Sequence, residues 1–195
     1  MSGRNKEFDE RSALVNATEV FWVKGYESAS TEDLLQAMGI NKGSMYNTFG
    51  NKRELFLQVF NEFSKKSTVN IKATFDKHKN PVDAVREMYR DVTRPADPFE
   101  HQKGCFFIKI LNEMSGMDEE MAAIARQKLL EVEAIYLIYM KKGVKEGYLK
   151  GNIPPETLAK YLVNMWNGIS ISRRIYGKKD LEKMVELNLE IFKEA

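Results

Sequence analysis

Several residue types on which enzymes and secreted proteins depend are scarce in this chain of 195 residues. Cys105 is the only cysteine, which excludes disulfides within the chain and zinc sites built from several thiolates. His78 and His101 are the only histidines, and the HExxH, P-loop and GxSxG motifs are absent. Hydrolytic and metal-dependent catalysis therefore have few residues to use. We expect no catalytic activity, no cofactor and no metal ion.

The sequence also lacks long apolar runs. None approaches the roughly 20 residues of a membrane span, and MSGRNKEFDERS has no apolar segment of the kind a signal peptide requires. These two absences predict a cytoplasmic protein without a membrane partner. With 43% hydrophobic and 30% charged residues, the composition is that of a globular protein.

Alternating β-branched residues are nearly missing, and the five prolines fall between periodic segments, which together predict an all-α fold. Capping residues and apolar spacing predict about nine helices. Their approximate ranges are 9–24, 30–38, 42–48, 52–75, 82–94, 104–115, 118–146, 155–175 and 178–193. We divide the chain into an N-terminal helix-turn-helix domain of three helices, residues 1–54, and a second helical domain, residues 55–195.

The segment NKGSMYNTFGNK, residues 41–52, is a short polar helix between two apolar segments. With the preceding helix and a three-residue turn through Gly39 it has the spacing of a helix-turn-helix. Met45 and Phe49 are predicted to face inward. The outward face keeps short polar side chains and Gly43, which let a helix approach a DNA groove closely. The start of the next helix, at Asn51 and Lys52, would add backbone donors to the same surface.

Charge does not decide this interpretation, because residues 1–60 carry seven basic and eight acidic side chains. The alternative is that the polar helix is only a solvated connector. DNA binding must therefore rest on where the basic side chains lie and not on their number.

The stretch GYESASTEDLLQAMGINKGSMYNTFGNKRELF resembles the DNA-binding segment of the TetR family of transcriptional regulators. The resemblance is dense over about residues 9–60 and rests on a shared pattern of glycines, caps and aromatics. The residues that carry the pattern are Gly25, Tyr26, Ser30, Asp33, Leu34, Ala37, Gly39, Ile40, Asn41, Lys42, Gly43, Tyr46, Phe49, Asn51, Lys52 and Glu54. Weaker similarity to the ligand-binding half of the family continues in GCFFIKILNEMS and EGYLKGNIPPETLAKYLVNMWNGISI.

The resemblance implies a set of contacts with double-stranded operator DNA. Phosphate contacts are expected from Tyr46, Lys52 and the start of the second helix, and groove contacts from the third helix. The implied DNA-binding residues are Ser30, Thr31, Asn41, Lys42, Gly43, Ser44, Tyr46, Asn47, Thr48 and Lys52. Ala29, Asn47 and Thr48 depart from the residues common in the family, so the operator sequence does not carry over from any relative.

The resemblance further implies a homodimeric repressor that a small ligand releases from DNA. Apolar stripes on the last two long helices fit a four-helix interface between two subunits. The interface candidates are Leu162, Met165, Trp166, Ile169, Leu181, Met184, Val185, Asn188 and Ile191. The alternative is that both stripes only cover the subunit's own core.

A cavity rich in methionine and aromatic residues would suit an apolar or aromatic ligand. The pocket candidates are Phe63, Met88, Tyr89, Phe106, Phe107, Ile110, Met114, Met121, Tyr136, Tyr139, Met140 and Trp166, each of which can instead be an ordinary core residue. Polar groups that could orient a ligand are Lys109, Asn112, Glu113 and Asn167.

Two alternatives to the ligand-released repressor stay open. One keeps DNA binding but is independent of ligand, or activates transcription. The other is a helical enzyme that uses the second-domain cavity, with Glu113, His101 and Tyr139 as its only plausible acid–base groups. Separately, Cys105 lies beside Lys103, and a nearby cation lowers a thiol pKa, so a redox sensor stands as a hypothesis against a small buried side chain.

Overall fold

The computed structural model describes residues 8–93 and 103–195, and all regular structure in these ranges is helical, without a strand. The all-α prediction is confirmed. The chain divides into two compact units at Lys66. This division lies further along the chain than the boundary between residues 54 and 55, and the independence of residues 1–54 as a domain stays a prediction.

The first unit consists of α1 (Glu10–Lys24), α2 (Thr31–Met38), α3 (Lys42–Phe49) and the first part of α4 (Lys52–Asp76). Its core is aromatic. The Phe56 ring lies 5.2 Å from the ring of Phe21 and 5.1 Å from that of Tyr26. Leu34, Met38, Met45, Phe49, Leu55 and Val59 are all buried, whereas Leu35 and Ile40 are half-buried.

The second unit contains α5 (Pro81–Val92), α6 (Phe106–Met114), α7 (Glu119–Lys145), α8 (Pro155–Ser172), α9 (Lys178–Leu189) and the short α10 (Ile191–Glu194). The long helix α7 packs against both α6 and α8. Near the start of α8, Tyr161 donates a hydrogen bond of 2.8 Å to Asn188 near the end of α9. The two helices therefore run antiparallel, as their short connection predicts.

Helix ends differ from prediction mainly at the C-terminal side. A single helix was predicted over residues 178–193, but α9 ends at Leu189 and Glu190 separates it from α10. Helix α8 ends at Ser172, before the predicted Ile175. Apolar spacing continues through both positions, so the pattern alone does not show where backbone hydrogen bonding changes.

Candidate nucleic-acid interface

The turn between α2 and α3 consists of Gly39, Ile40 and Asn41. Gly39 adopts the left-handed conformation, with φ 66° and ψ 31°, which is strained for residues with a Cβ atom. The Ile40 N–H donates to the Leu35 carbonyl at 3.3 Å, and the Gly39 N–H donates to Gln36 at the same distance. These bonds close the end of α2 and turn the chain sharply into α3.

Side chains cap the starts of both short helices. The Asp33 N–H donates to Ser30 Oγ at 3.1 Å, and the Ser30 N–H donates to Asp33 Oδ2 at 3.0 Å, so the two residues form a capping box. The Asn41 side chain accepts from the Ser44 N–H at 2.8 Å. Helices of eight residues are marginal alone, so these caps and the buried face hold α2 and α3 in place.

The carboxylate of Asp33 links α2 to α1, because it also lies 2.6 Å from Lys24 Nζ. Hydrogen bonds from Lys24 and Ser30 lower the pKa of Asp33 to about 2. The stabilising contribution is complete above the ordinary value of 3.8 and is lost as the pH falls from there toward about 2. We expect the carbon-13 resonance of the Asp33 carboxyl to titrate near the lower value. Lys24→Met should move that midpoint upward, and an ordinary midpoint in the unmodified protein would contradict the contact.

Helix α3 has one buried and one exposed face, as predicted. Met45 is fully buried and Phe49 is 2% exposed, whereas Tyr46 is 46% exposed. The remaining DNA-binding candidates of this segment are exposed at Asn41, Lys42, Gly43 and Asn47, and half-buried at Ser44 and Thr48. A contiguous polar surface with two small residues therefore stands on a firmly packed helix.

The start of α2 also carries two DNA-binding candidates. Ser30 is exposed there, and Thr31 is half-buried. The Ser30 oxygen accepts the Asp33 N–H, but a hydroxyl has a donor besides its acceptor sites. Ser30 can thus cap α2 and donate to a phosphate oxygen at once.

The ammonium of Lys52 is held at a defined position within the first unit. Its Nζ donates to the Glu27 carbonyl at 3.2 Å and lies 4.7 Å from the centroid of the Tyr26 ring. An ammonium has three donors, so this arrangement leaves others for a phosphate while limiting the entropy lost on binding. The sequence pointed to Lys52 itself, but it gave no sign that Tyr26 and Glu27 hold the side chain.

The start of α4 differs from expectation. The Glu54 N–H donates to Asn51 Oδ1 at 3.0 Å, and the Asn51 N–H donates to the Glu54 carboxylate at 2.7 Å. Two of the backbone donors predicted to face DNA are thus used within the chain, beside a negative charge. Among the groups predicted here to meet an anion, the Lys52 side chain therefore stays a candidate, whereas the Asn51 N–H has a partner within the chain.

Residues 13–59 match the family model described as "Bacterial regulatory proteins, tetR family". Residues 81–186 match the model described as "Tetracyclin repressor-like, C-terminal domain". Together the two matches span most of the chain. The chain belongs to the TetR family.

Individual TetR-family relatives align over nearly the whole chain. The uncharacterized regulator YezE of Bacillus subtilis is 29% identical over 192 residues, which cover 97% of this chain and 98% of that protein. The transcriptional repressor ComR of Escherichia coli is 27% identical, covering 95% and 88%. A cysteine mutant of the regulator CifR, solved with 26-bp double-strand operator DNA, superposes with a TM-score of 0.85 at 26% identity, covering 97% and 100%. The chain is thus similar to helix-turn-helix transcriptional regulators along its full length.

Most pocket candidates of this TetR-family chain lie in the core of its second unit. Tyr89, Phe106, Phe107, Ile110, Met114, Met121, Tyr136 and Met140 are buried, and Met88, Tyr139 and Trp166 are half-buried. The Tyr89 hydroxyl donates to the Leu162 carbonyl, and its ring meets Trp166 edge-on at 5.9 Å. Phe63 instead belongs to the first unit, where its ring packs on Trp22 at 5.0 Å.

The interface candidates are divided by burial. Leu162, Met165, Ile169, Leu181 and Val185 are buried within the single chain, which makes them unavailable to a partner. Trp166, Met184, Asn188 and Ile191 are half-buried. The exposed apolar side chains of this region are others, namely Ile171, Ile175, Tyr176 and Leu187. The predicted stripes therefore mainly cover the subunit's own core, and a dimer must use their outer neighbours.

Cys105 lies at the N-cap position of α6, where its side chain makes no capping hydrogen bond, and is half-buried. Burial raises the pKa of its thiol, outweighing hydrogen bonds from the Ile108 backbone and the Trp166 indole. The structure therefore gives the opposite direction to the pKa lowering inferred from Lys103. We expect native Cys105 to react with iodoacetamide more slowly than glutathione at the same pH, and to match it after denaturation.

A Cys105→Ser variant fixes the background of that labelling measurement. Native labelling as fast as that of glutathione would contradict the raised pKa and restore the redox-sensor hypothesis.

Of the acid–base groups named for an enzyme, Tyr139 has a defined partner. Burial, followed by a hydrogen bond to Asp76 at 2.7 Å, raises the pKa of Tyr139 to about 12. That hydroxyl stays protonated at neutral pH and is occupied as a donor. Glu113 lies on α6, and His101 lies outside the described residues.

Neither a membrane-spanning helix nor a metal-ligand cluster occurs among the described residues. Between residues 8 and 93 and from 103 onward, no helix has the length and apolar character to cross a membrane. In the same ranges no three His, Cys, Asp or Glu side chains are grouped as a metal site.

Proposed function

We propose that this TetR-family chain is a dimeric transcriptional repressor that binds operator DNA through α2 and α3 and is released by a small ligand held in its second unit. The observation that carries the DNA-binding part is the division of α3. Met45 and Phe49 anchor one side, and Tyr46 and Asn47 lie exposed on the other. The similar regulator CifR, whose structure with operator DNA covers 97% of this chain, supports DNA binding.

In this proposal α3 enters the major groove and the residues around it grip the backbone. Asn47 presents an amide, which can pair with adenine N6 and N7. Lys42, Gly43, Ser44 and Thr48 lie along the groove. Tyr46, Lys52, Ser30 and Thr31 contact phosphates, which fix the register without reading sequence.

Dimerisation follows from the need to read two half-sites together. The outer surface of α8, α9 and the turn between them exposes Ile175 by 68% and Leu187 by 74%. Met184 lies three residues before Leu187, on the same side of α9, and is half-buried. We place the interface on this outer surface, which also includes Ile171 and Tyr176.

The ligand-released repressor has a rival in a regulator that works without ligand or activates transcription. The buried methionine and aromatic residues of the second unit favour a ligand, because such a core adapts to apolar molecules. A library screen by melting temperature separates the two readings. A compound that raises the melting temperature and lowers operator affinity supports ligand release.

The test of the whole proposal is capture of genomic fragments on the purified protein, followed by sequencing. A palindromic site with half-sites about one helical turn apart is expected. A Met45→Asp variant, whose charge would disrupt the buried face of α3, is the negative control. Fragments without a shared site, or equal capture by this variant, would contradict DNA reading by α3.

A further inference from the structure

The C-terminal end of α3 is held by two hydrogen bonds from outside the helix. An α-helix leaves its last four carbonyl groups without partners of its own. The Gly50 N–H donates to the Tyr46 carbonyl at 3.2 Å. Gln58 Nε2 donates to the Phe49 carbonyl at 3.0 Å, from a position nine residues further along the chain on α4. The last carbonyl of α3 is therefore fixed by the neighbouring helix.

The direction of the bond between Gln58 and Phe49 follows from the chemistry of the two groups. A carbonyl only accepts, so the nitrogen and not the oxygen of the Gln58 amide faces Phe49. Phe49 is 2% exposed, so its carbonyl lies largely out of reach of water and depends on this donor. Gln58 is itself exposed, so burial of its own amide does not require the bond. The bond thus serves α3 more than α4.

The connection between α3 and α4 consists only of Gly50 and Asn51. Gly50 has φ 79°, a conformation that favours glycine, and a Cβ atom there would meet the Glu54 carboxylate. Asn51 and Glu54 exchange hydrogen bonds in the first turn of α4. The end of α3 is thus attached to α4 at two places, through this short connection and through Gln58. Two attachments fix the direction of a helix as well as its position.

The exposed Asn47 lies two residues before Phe49, in the part of α3 that Gln58 holds. A side chain that reads a base must be held within about 0.5 Å of its productive position. If the last turn of α3 loosened, the Asn47 amide would lose that precision. Lys52 would keep its place, because its printed partners do not belong to α3. Base reading therefore depends on the end of α3 more strongly than the grip on phosphates does.

We propose that Gln58 is a positioning residue for DNA reading, whose amide fixes the last turn of α3 so that Asn47 meets its base pair. The inference rests on the proposed reading of operator DNA by α3, and it adds a residue outside the set that the TetR resemblance implies. Gln58 acts through the Phe49 carbonyl and contacts no base. Its loss should therefore lower discrimination between operator and random DNA, since random DNA is held through phosphates.

The first test is Gln58→Met, which keeps an unbranched side chain and good helix propensity but removes the donor. Affinity for the captured operator should fall by about two- to tenfold, the effect of one lost hydrogen bond. Affinity for a random duplex should stay the same. Fluorescence anisotropy measures both. Loss of both affinities by one factor, or no change in either, would overturn the inference.

A second pair of variants separates the hydrogen bond from charge. Gln58→Glu keeps the shape of the side chain, but its carboxylate cannot donate. Asn61→Asp adds the same charge three residues further along α4, at another exposed amide. Both should weaken random DNA binding by about the same factor, because each adds one negative charge. Only Gln58→Glu should lower the ratio of operator to random affinity, and equal ratios would contradict the positioning role.

Hydrogen exchange of the full chain without DNA tests the contact independently of any operator. In Gln58→Met the Gly50 amide should exchange about two- to tenfold faster, because the last turn of α3 opens more easily. The Met45 N–H, which donates to the Asn41 carbonyl at 3.1 Å at the other end of α3, should keep its rate. A general loss of stability would accelerate both amides. Equal acceleration, or none, would therefore overturn the inference.

The same samples separate this inference from the proposed function. A protein that prefers its captured operator and keeps that preference in Gln58→Met contradicts the role of Gln58 alone. A protein that prefers no captured site over random DNA contradicts the proposed repressor, whatever the exchange rates are. Faster exchange at Gly50 together with a lower operator preference supports both.

Discussion

Leu187→Asp is expected to give a monomer whose operator affinity is lower by roughly 100- to 10,000-fold, the range by which linked binding modules exceed single ones. Leu187 is 74% exposed on α9 and has no place in the subunit core, so the charge should leave the fold intact. In a dimer the same carboxylate would be buried against an apolar surface, at a cost of several kcal/mol. The two recognition helices would then bind separately.

Leu130→Asp is the matched control, because Leu130 is 49% exposed and belongs to α7, which supplies no residue to the proposed interface. Sedimentation velocity measures the assembly state, and fluorescence anisotropy with the captured operator measures affinity. The unmodified protein should sediment as a dimer at micromolar concentration. A wild-type monomer, or a Leu187→Asp dimer with full affinity, would place the interface elsewhere or remove it.

Local sequence signals predicted the DNA-binding unit well because each of its boundaries depends on residues close in sequence. Ser30 with Asp33, Gly39 and Asn41 each form hydrogen bonds within five residues. Such caps fix where α2 and α3 begin and end. The inward positions Met45 and Phe49 then follow from helical spacing alone.

The second unit was less predictable because an apolar stripe does not show what covers it. Leu181 and Val185 have the spacing of an interface, but both are fully buried within their own chain. The outward Leu187 falls outside that stripe and gave no signal. A multi-helix core and a dimer interface both require apolar residue types at helical spacing. Only the three-dimensional structure distinguishes the two kinds of burial.

Contacts between residues distant in sequence could not be predicted either, because the sequence does not mark which distant residues touch. Lys52 and Glu27 are 25 residues apart, and Arg174 and Lys103 are 71 apart. Each pair joins a side chain to a backbone carbonyl, which any residue supplies. No residue type therefore marks the partner in either contact.

The exposed amide of Asn47 and the held ammonium of Lys52 lead to a last prediction, which separates reading from positioning. Asn47→Ala should cost about 1–3 kcal/mol at the operator and relax preference at one base pair, with the salt dependence nearly unchanged. Lys52→Ala should weaken binding to operator and to random DNA equally, because a phosphate contact reads no base. It should also lower the slope of log affinity against log salt concentration (the salt slope) by about 1, because one counterion-releasing contact is lost. Both variants are measured on an operator library across several salt concentrations.

Lys65→Ala is the control, because it removes a cation from the same helix that is not proposed to contact DNA. Lys65 is 72% exposed and pairs with Glu62. Its salt slope should equal that of the unmodified protein. The Tyr26 ring and the Glu27 carbonyl give Lys52 a structural role as well, so Lys52→Arg should recover most of the slope while keeping a cation near the ring. If Lys52→Ala changed base preference and Asn47→Ala changed only the slope, α3 would present the opposite edge to the groove.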